Sequence, residues 1–158
     1  MLISSSASVC DRSISNRNNN EACITDQSNL PDAYRPTVTF LLKQNLPSSF
    51  TLCTGASGHT GTRAGPGITQ GALFSLAATA SRELEETNVR FVEVLLWFRV
   101  EVDESAVAAP YPAVKSSEFA RVYERILGSE IKSQRVKMEK REDIEGEFEV
   151  ERTFMEFK

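Results

Sequence analysis

The amino-acid sequence predicts an α/β fold, a mostly parallel sheet flanked by helices, and three observations carry that prediction. From Phe50 onward, short apolar runs alternate with stretches of helical periodicity in the order strand, helix, strand, helix, strand. That alternation folds into a layered α/β unit with right-handed crossovers. The run "NVRFVEVLLWF" is crowded with Val, Phe and Leu and free of Gly and Pro, as a strand buried on both faces of a parallel sheet is. The 158 residues are 41% hydrophobic and 25% charged with a net charge of −4, ordinary values for one soluble domain.

The elements follow in chain order. Residues 1–36 are rich in Ser, Asn and Asp and lack apolar periodicity. Such a segment buries too little surface to offset its ordering entropy, so it is expected to be disordered or irregular. Residues 37–140 are read as the α/β domain and 141–158 as a charged tail. Within the domain, "VTFLLKQNL" from Val38 suits a short helix or strand, and "FTLCTG" from Phe50 to Gly55 reads as a buried strand. From Thr69 to Thr87, Leu73, Leu76, Ala77, Ala80 and Leu84 share one helical face, and the many small residues let a neighbour pack close. Asn88 is the expected stop. The central strand then runs from about Val89 to Leu95. "AAPYPAV" is a loop. Ser117 is expected to cap a helix through Leu127, with Phe119, Val122, Tyr123 and Ile126 at helical spacing and Gly128 at its end. "QRVKME" is a short strand, and "EFEVERTFMEFK" fits either an edge strand or an unstructured end.

Charge and cysteine usage weigh against several function classes. The acidic balance does not suggest a nucleic-acid-binding surface. Cys10, Cys23 and Cys53 form no C-x-x-C pair and His59 is the lone histidine, so neither a disulfide framework nor a metal site is expected. A reducing, cytoplasmic setting fits that usage. The opening residues lack a basic region and an apolar core, and the longest apolar run, "VLLWF", is too short to span a bilayer.

The chemistry-bearing motif is "TGASGHTGTRAGPG", Thr54 to Gly67. Its glycines Gly55, Gly58 and Gly61 stand three apart, the spacing of a loop whose backbone can approach a pyrophosphate, and they are the candidate cofactor-binding residues. That reading needs a strand before the loop, a helix directly after it and an acidic residue about 20 positions on. The strand is present. Pro66 and Gly67 delay the helix, and Glu83, Glu85 and Glu86 fall within it. From the residues alone, a strand-to-helix loop with glycines for turning is the favoured reading. Either way the loop lies at the carboxyl end of a parallel strand, where open α/β sheets bind ligands. His59 reads as a solvated loop histidine, with a base beside Ser57 as the alternative. Trp97 and Phe98 read as core, with the wall of an apolar pocket as the alternative. Arg99, Glu101 and Asp103 read as a solvated run of charge.

At "GITQGALFSLAATASRELEETNVRFVEV" the sequence resembles the short-chain dehydrogenase/reductase superfamily. The stretch is similar to the helix that carries that family's Tyr-x-x-x-Lys pair and to the strand after it. "FTLCTGASG" resembles the family's fifth strand with its serine-bearing loop, and "SSEFARVYERILGSEIKSQRVKM" its last helix and strand. The resemblance spans about Val38 to Met138, the C-terminal half of a Rossmann-type fold, so the chain reads as divergent and truncated. It implies an NAD(P)-dependent oxidoreductase acting on a small organic molecule, and a homodimer packed through the helix at 69–87.

The same resemblance places departures. In the family, tyrosine transfers the proton while lysine lowers its pKa and holds the ribose. Here the tyrosine position holds Pro66 and the lysine position Gln70, and the serine falls near Thr54 and Gly55, with Thr54 or Ser57 offering a hydroxyl. The Pro-Gly after the sixth strand is replaced by Leu96 and Trp97. Thr54, Ser57 and Gln70 are therefore the candidate catalytic residues. The alternatives are a non-redox relative (a pseudoenzyme, cyclase or isomerase) and an inactive fragment.

Overall fold

The computed structural model describes residues 33–154. Four strands form one sheet in the order β1-β2-β5-β6: β1 (Ser48–Gly55), β2 (Val89–Leu96), β5 (Gln134–Met138) and β6 (Glu149–Arg152). The first three are parallel and β6 is antiparallel to β5. Helix α1 (residues 33–44) leads into β1. A single turn, α2 (Ser57–Thr60), and the long α3 (Ala64–Leu84) connect β1 to β2. A small parallel pair, β3 (Val100–Glu101) and β4 (Val114–Lys115), brackets α4 (Asp103–Ala108), and α5 (Ser116–Leu127) leads back to β5. This is the α/β arrangement expected from the alternation of elements, Rossmann-like in its parallel strands joined by helices.

Strand periodicity assigns the two cores. On one face Phe50 and Leu52 of β1 and Val89 and Phe91 of β2 meet Val38 and Leu41 of α1 and Ala77, Ala80 and Leu84 of α3. On the other face Val92, Val94, Val136 and Met138 meet Phe119, Val122 and Ile126 of α5. Val89 and Phe91 have the opposite parity to Val92 and Val94, so β2 is buried on both sides, which is why its sequence reads as a continuous apolar run. Ala77 and Ala80 are fully buried; their small side chains let α3 lie close on the sheet.

Several boundaries differ from the sequence reading for physical reasons. The helix read from Thr69 begins at Ala64. Pro66 sits in its first turn, where no intrahelical N–H bond is lost, and Gly67 N–H donates to Arg63 O at 2.9 Å. The helix also stops at Leu84, short of Thr87. The first described residues, 33–36, are helical, and residues 1–32 lie outside the described part. The charged residues after 140 join the fold: Ile144 is buried in the second core and β6 pairs with β5, the edge-strand reading of the tail.

Ser117 does not cap α5. Its own N–H and hydroxyl donate to Asp103 at 3.1 and 2.6 Å, so an acid at the start of α4 satisfies the helix end from a distance. These bonds hold the Asp103 carboxyl below its ordinary value. The charge run around it is likewise engaged: the Arg99 guanidinium lies 4.4 Å from the Tyr111 ring centre, and Tyr111 Oη donates to Glu101 at 3.2 Å.

Candidate functional site

The candidate site lies at the carboxyl ends of β1 and β2, and the loop after β1 is its frame. The loop folds into one helical turn. His59 and Thr60 N–H both donate to Ala56 O, Gly61 N–H donates to Ser57 O, and Gly61 closes the turn at φ 60°. That left-handed conformation favours glycine. Gly55 N–H donates to Gln70 Oε1 at 2.7 Å. A Cβ on Gly58 would lie 2.5 Å from Phe74 Cε2 and 2.9 Å from Gln70 Cβ, so glycine there lets the loop settle onto α3. The three-residue spacing thus serves a capped strand end, a close approach and a helix cap. The amides of Gly55, His59, Thr60 and Gly61 are spent within the protein.

The sequence-predicted residues are held by different partners. Thr54 is 2% exposed and its hydroxyl donates to Glu93 Oε1 at 2.7 Å, facing the sheet interior. Gln70 is near the loop but its amide oxygen holds Gly55. Ser57, half-buried, opens α2 and is the candidate hydroxyl in the loop itself. Pro66 carries no ionisable group, and its carbonyl accepts from Thr69 Oγ1 at 3.0 Å.

Beneath the loop lies a polar network that sequence reasoning missed. Glu93, in the middle of β2, is fully buried. Its Oε2 pairs with Arg135 Nε at 2.8 Å, and Arg135 Nη1 pairs with Glu151 at 3.0 Å. Lys137 extends the network to Glu149 and Glu151 at 3.1 and 2.8 Å. Burial pushes the Glu93 carboxyl above its ordinary value, against the pull of Arg135 and Thr54. Burial opposes the Arg135 charge, yet Glu93 and Glu151 hold the guanidinium above its ordinary value. The only signal in the sequence is a lone acid in an apolar run. Nearby, burial raises the Cys53 thiol to about 11, with Tyr123 hydrogen bonding against it and the Glu93 charge adding to it. A thiol with so raised a pKa carries little thiolate at neutral pH.

Above the network runs a series of rings. The Arg135 guanidinium lies 5.2 Å from the Phe74 ring centre. His59 stacks on Phe74 with centroids 4.4 Å apart, and the Trp97 ring lies 6.2 Å from His59 and within 3° of parallel. Trp97 N–H donates to Met138 O at 2.9 Å, which fixes the residue at the end of β2. The core reading fits Phe98, which packs against the second core, but fails for Trp97, which is 46% exposed. Among the described residues no group of three His, Cys, Asp or Glu side chains is placed to hold a metal ion. No helix among them is long and apolar enough to cross a membrane.

No family model and no solved structure matches the chain. The short-chain dehydrogenase/reductase iacG of Pestalotiopsis fici is 49% identical to it over 108 residues. The matched stretch is thus similar to part of a protein named as a short-chain dehydrogenase/reductase. It covers 66% of this chain and 44% of that relative, so the chain spans less than half the relative's length. The resemblance drawn from the helix and strand around "RELEETNVRF" is thereby borne out.

Proposed function

We propose that this short-chain dehydrogenase/reductase-like chain binds a small organic molecule at the carboxyl ends of β1 and β2, without the family's Tyr–Lys proton-transfer pair. The observation that carries this reading is the state of Gln70, which stands at the lysine position. Its amide oxygen is committed to Gly55 N–H at 2.7 Å, and an amide carries no charge to depress a neighbour's pKa. Pro66, at the tyrosine position, has no proton to give. The residues present therefore do not fit the family's way of holding a nicotinamide cofactor, and the site reads as a binding or non-redox one.

The second reading is an NAD(P)-dependent oxidoreductase with a displaced proton donor, favoured by the similarity to a relative named a short-chain dehydrogenase/reductase. Ser57 or Thr54 would then act in place of the serine, with the cofactor against Gly55, Gly58 and Gly61. A homodimer through the outer face of α3 belongs to both readings. Titrating the protein with NADPH and following the cofactor's fluorescence separates them. The first reading expects no saturable binding at millimolar cofactor in the native protein. The paired variant Pro66→Tyr/Gln70→Lys is the companion test: reductase activity gained by it would show that the scaffold holds cofactor and would overturn the non-redox reading.

A further inference from the structure

We propose that two copies of this chain join through the free edge of β1, antiparallel to one another, with Thr51 on the two-fold axis. This contact is separate from the small-molecule reading above and from the α3 packing that goes with it. The sheet ends in two unlike strands. β6 carries Glu149, Glu151 and Arg152, and β5 beside it answers with Arg135 and Lys137. Charges of this kind guard an edge against pairing. β1, the other end of the sheet among the described residues, reads SSFTLCTG, with no charge and no proline. Its register with β2 runs unbroken from Ser48 to Gly55. A regular, neutral edge is a template for a further strand. Its neutrality favours an uncharged partner strand, and β1 of a second copy is one.

The free backbone groups fix the register. The outward N–H groups of β1 belong to Ser49, Thr51, Cys53 and Gly55, and Gln70 takes the last of them. In an antiparallel pair, every second facing pair exchanges both of its N–H···O bonds. Setting Thr51 against Thr51 of the second copy puts Ser49 opposite Cys53 and Cys53 opposite Ser49. Every free outward N–H is then used. One step further out, Pro47 falls opposite Gly55. Pro47 has no N–H and that of Gly55 is taken, so the ladder stops at both ends together. A slip of two residues either way sets Pro47 or Gly55 against a free residue and loses a donor. A side chain favours the same register. Ser49 Oγ is buried and has no hydrogen-bond partner among the described residues, a costly state for a hydroxyl. The second copy brings its Cys53 thiol across from Ser49, a group that donates and accepts weakly. Because each copy offers the same edge, the contact closes as a pair.

Hydrogen exchange of single amides, followed by NMR at low and high chain concentration, tests the ladder without any variant. The contact is small, so association is expected at about 10–100 μM chain. Above that range the amides of Ser49, Thr51 and Cys53 are expected to exchange about tenfold more slowly than below it. The Leu52 amide, bonded to β2, is the internal reference and stays slow throughout. Sedimentation equilibrium reads the same contact by mass. Thr51→Lys sets like charges opposite each other on the axis and is expected to halve the native mass. Thr51→Val keeps the N–H and a branched side chain and is expected to assemble as the native chain does. A native far-ultraviolet dichroism spectrum shows that each variant is folded. Amides at 49, 51 and 53 that exchange equally fast at both concentrations would overturn the proposal. So would a native chain that stays monomeric, which would leave the edge to a strand of another protein. An unchanged mass in Thr51→Lys would move the contact elsewhere, α3 included. Loss of assembly in Thr51→Val would place the requirement on the hydroxyl rather than the backbone. Cofactor plays no part in these measurements, so they and the NADPH titration stand or fall separately.

Discussion

Glu93 shows how a single residue sets the terms for its surroundings. A fully buried carboxylate is costly unless it is paired and hydrogen-bonded, and Glu93 has both Arg135 at 2.8 Å and Thr54 at 2.7 Å. Thr54 and Arg135 are thus explained by Glu93 before any catalytic role is needed. Replacing Arg135 with Met leaves the carboxylate buried without its cation, an expected loss of about 3–5 kcal/mol near pH 7. The sign of the pH dependence follows from the raised Glu93 pKa. A carboxyl whose folded value lies above its ordinary 4.5 binds its proton more tightly when folded. Stability therefore falls as pH rises through the window between those values. Loss of Arg135 widens that window upward, so the variant should recover part of its deficit between pH 7 and pH 5. The Glu151 carboxyl, whose pKa burial raises but Lys137 and Arg135 bring below its ordinary value, has the opposite sign and loses its contribution only under more acidic conditions. Urea titrations of both proteins at the two pH values test this. A deficit that does not shrink toward pH 5 would mean that the Glu93 charge is not its source.

At the scale of elements, β1 is an edge strand among the described residues, and its two sides differ in what they can tolerate. Ser48 N–H donates to Asn88 O, just before β2, at 3.1 Å, and Ala56 N–H to Leu96 O at the end of β2 at 2.8 Å. By strand alternation the even-numbered residues of β1 face β2 and the odd-numbered ones face outward. Gly55 follows that parity, its outward N–H being taken by Gln70. Thr51→Pro removes an outward N–H and should cost about 1 kcal/mol or less. Leu52→Pro removes a ladder bond and a side chain that is 1% exposed, and should cost about 3 kcal/mol or more. Thermal denaturation of the two variants decides it, and equal losses would contradict the assigned parity. The body of α3, the double burial of β2 and the face of α5 were all legible in the sequence because periodicity is a local property. The start of α3 was not, because Pro66 and Gly67 read as punctuation although a first turn accepts them. Nor was the helix cap from Asp103, whose partners at 116 and 117 lie far along the chain. The glycine loop left two readings open because its spacing is the same for a phosphate cradle and for one helical turn; the close approach of Gly58 to Phe74 fits the favoured turning loop. Trp97 was misassigned because exposure at a strand end leaves no mark in composition.

At the scale of the whole molecule, the two cores are separate clusters joined through one strand. Phe91 belongs to the face covered by α1 and α3, and Val94 to the face covered by α5. Neither face has a sheet of its own, so unfolding one should remove the support of the other. The described residues should then melt in a single transition, as a small domain with a shared central strand does. Phe91→Ala makes the expectation sharp. Its ring is fully buried and stacks on Phe50 with centroids 6.0 Å apart, so truncation should cost about 3–5 kcal/mol through lost transfer energy and a cavity. The helical signal in far-ultraviolet circular dichroism reports on α1, α3 and α5 together. Trp97 fluorescence reports on the end of β2, where Met138 of the opposite face holds its backbone. If the faces are coupled through β2, the variant must move the midpoints of both signals down by the same amount, although Trp97 lies six residues from the substitution. A lowered dichroism midpoint beside an unmoved Trp97 midpoint would show that the face carrying α5 folds by itself.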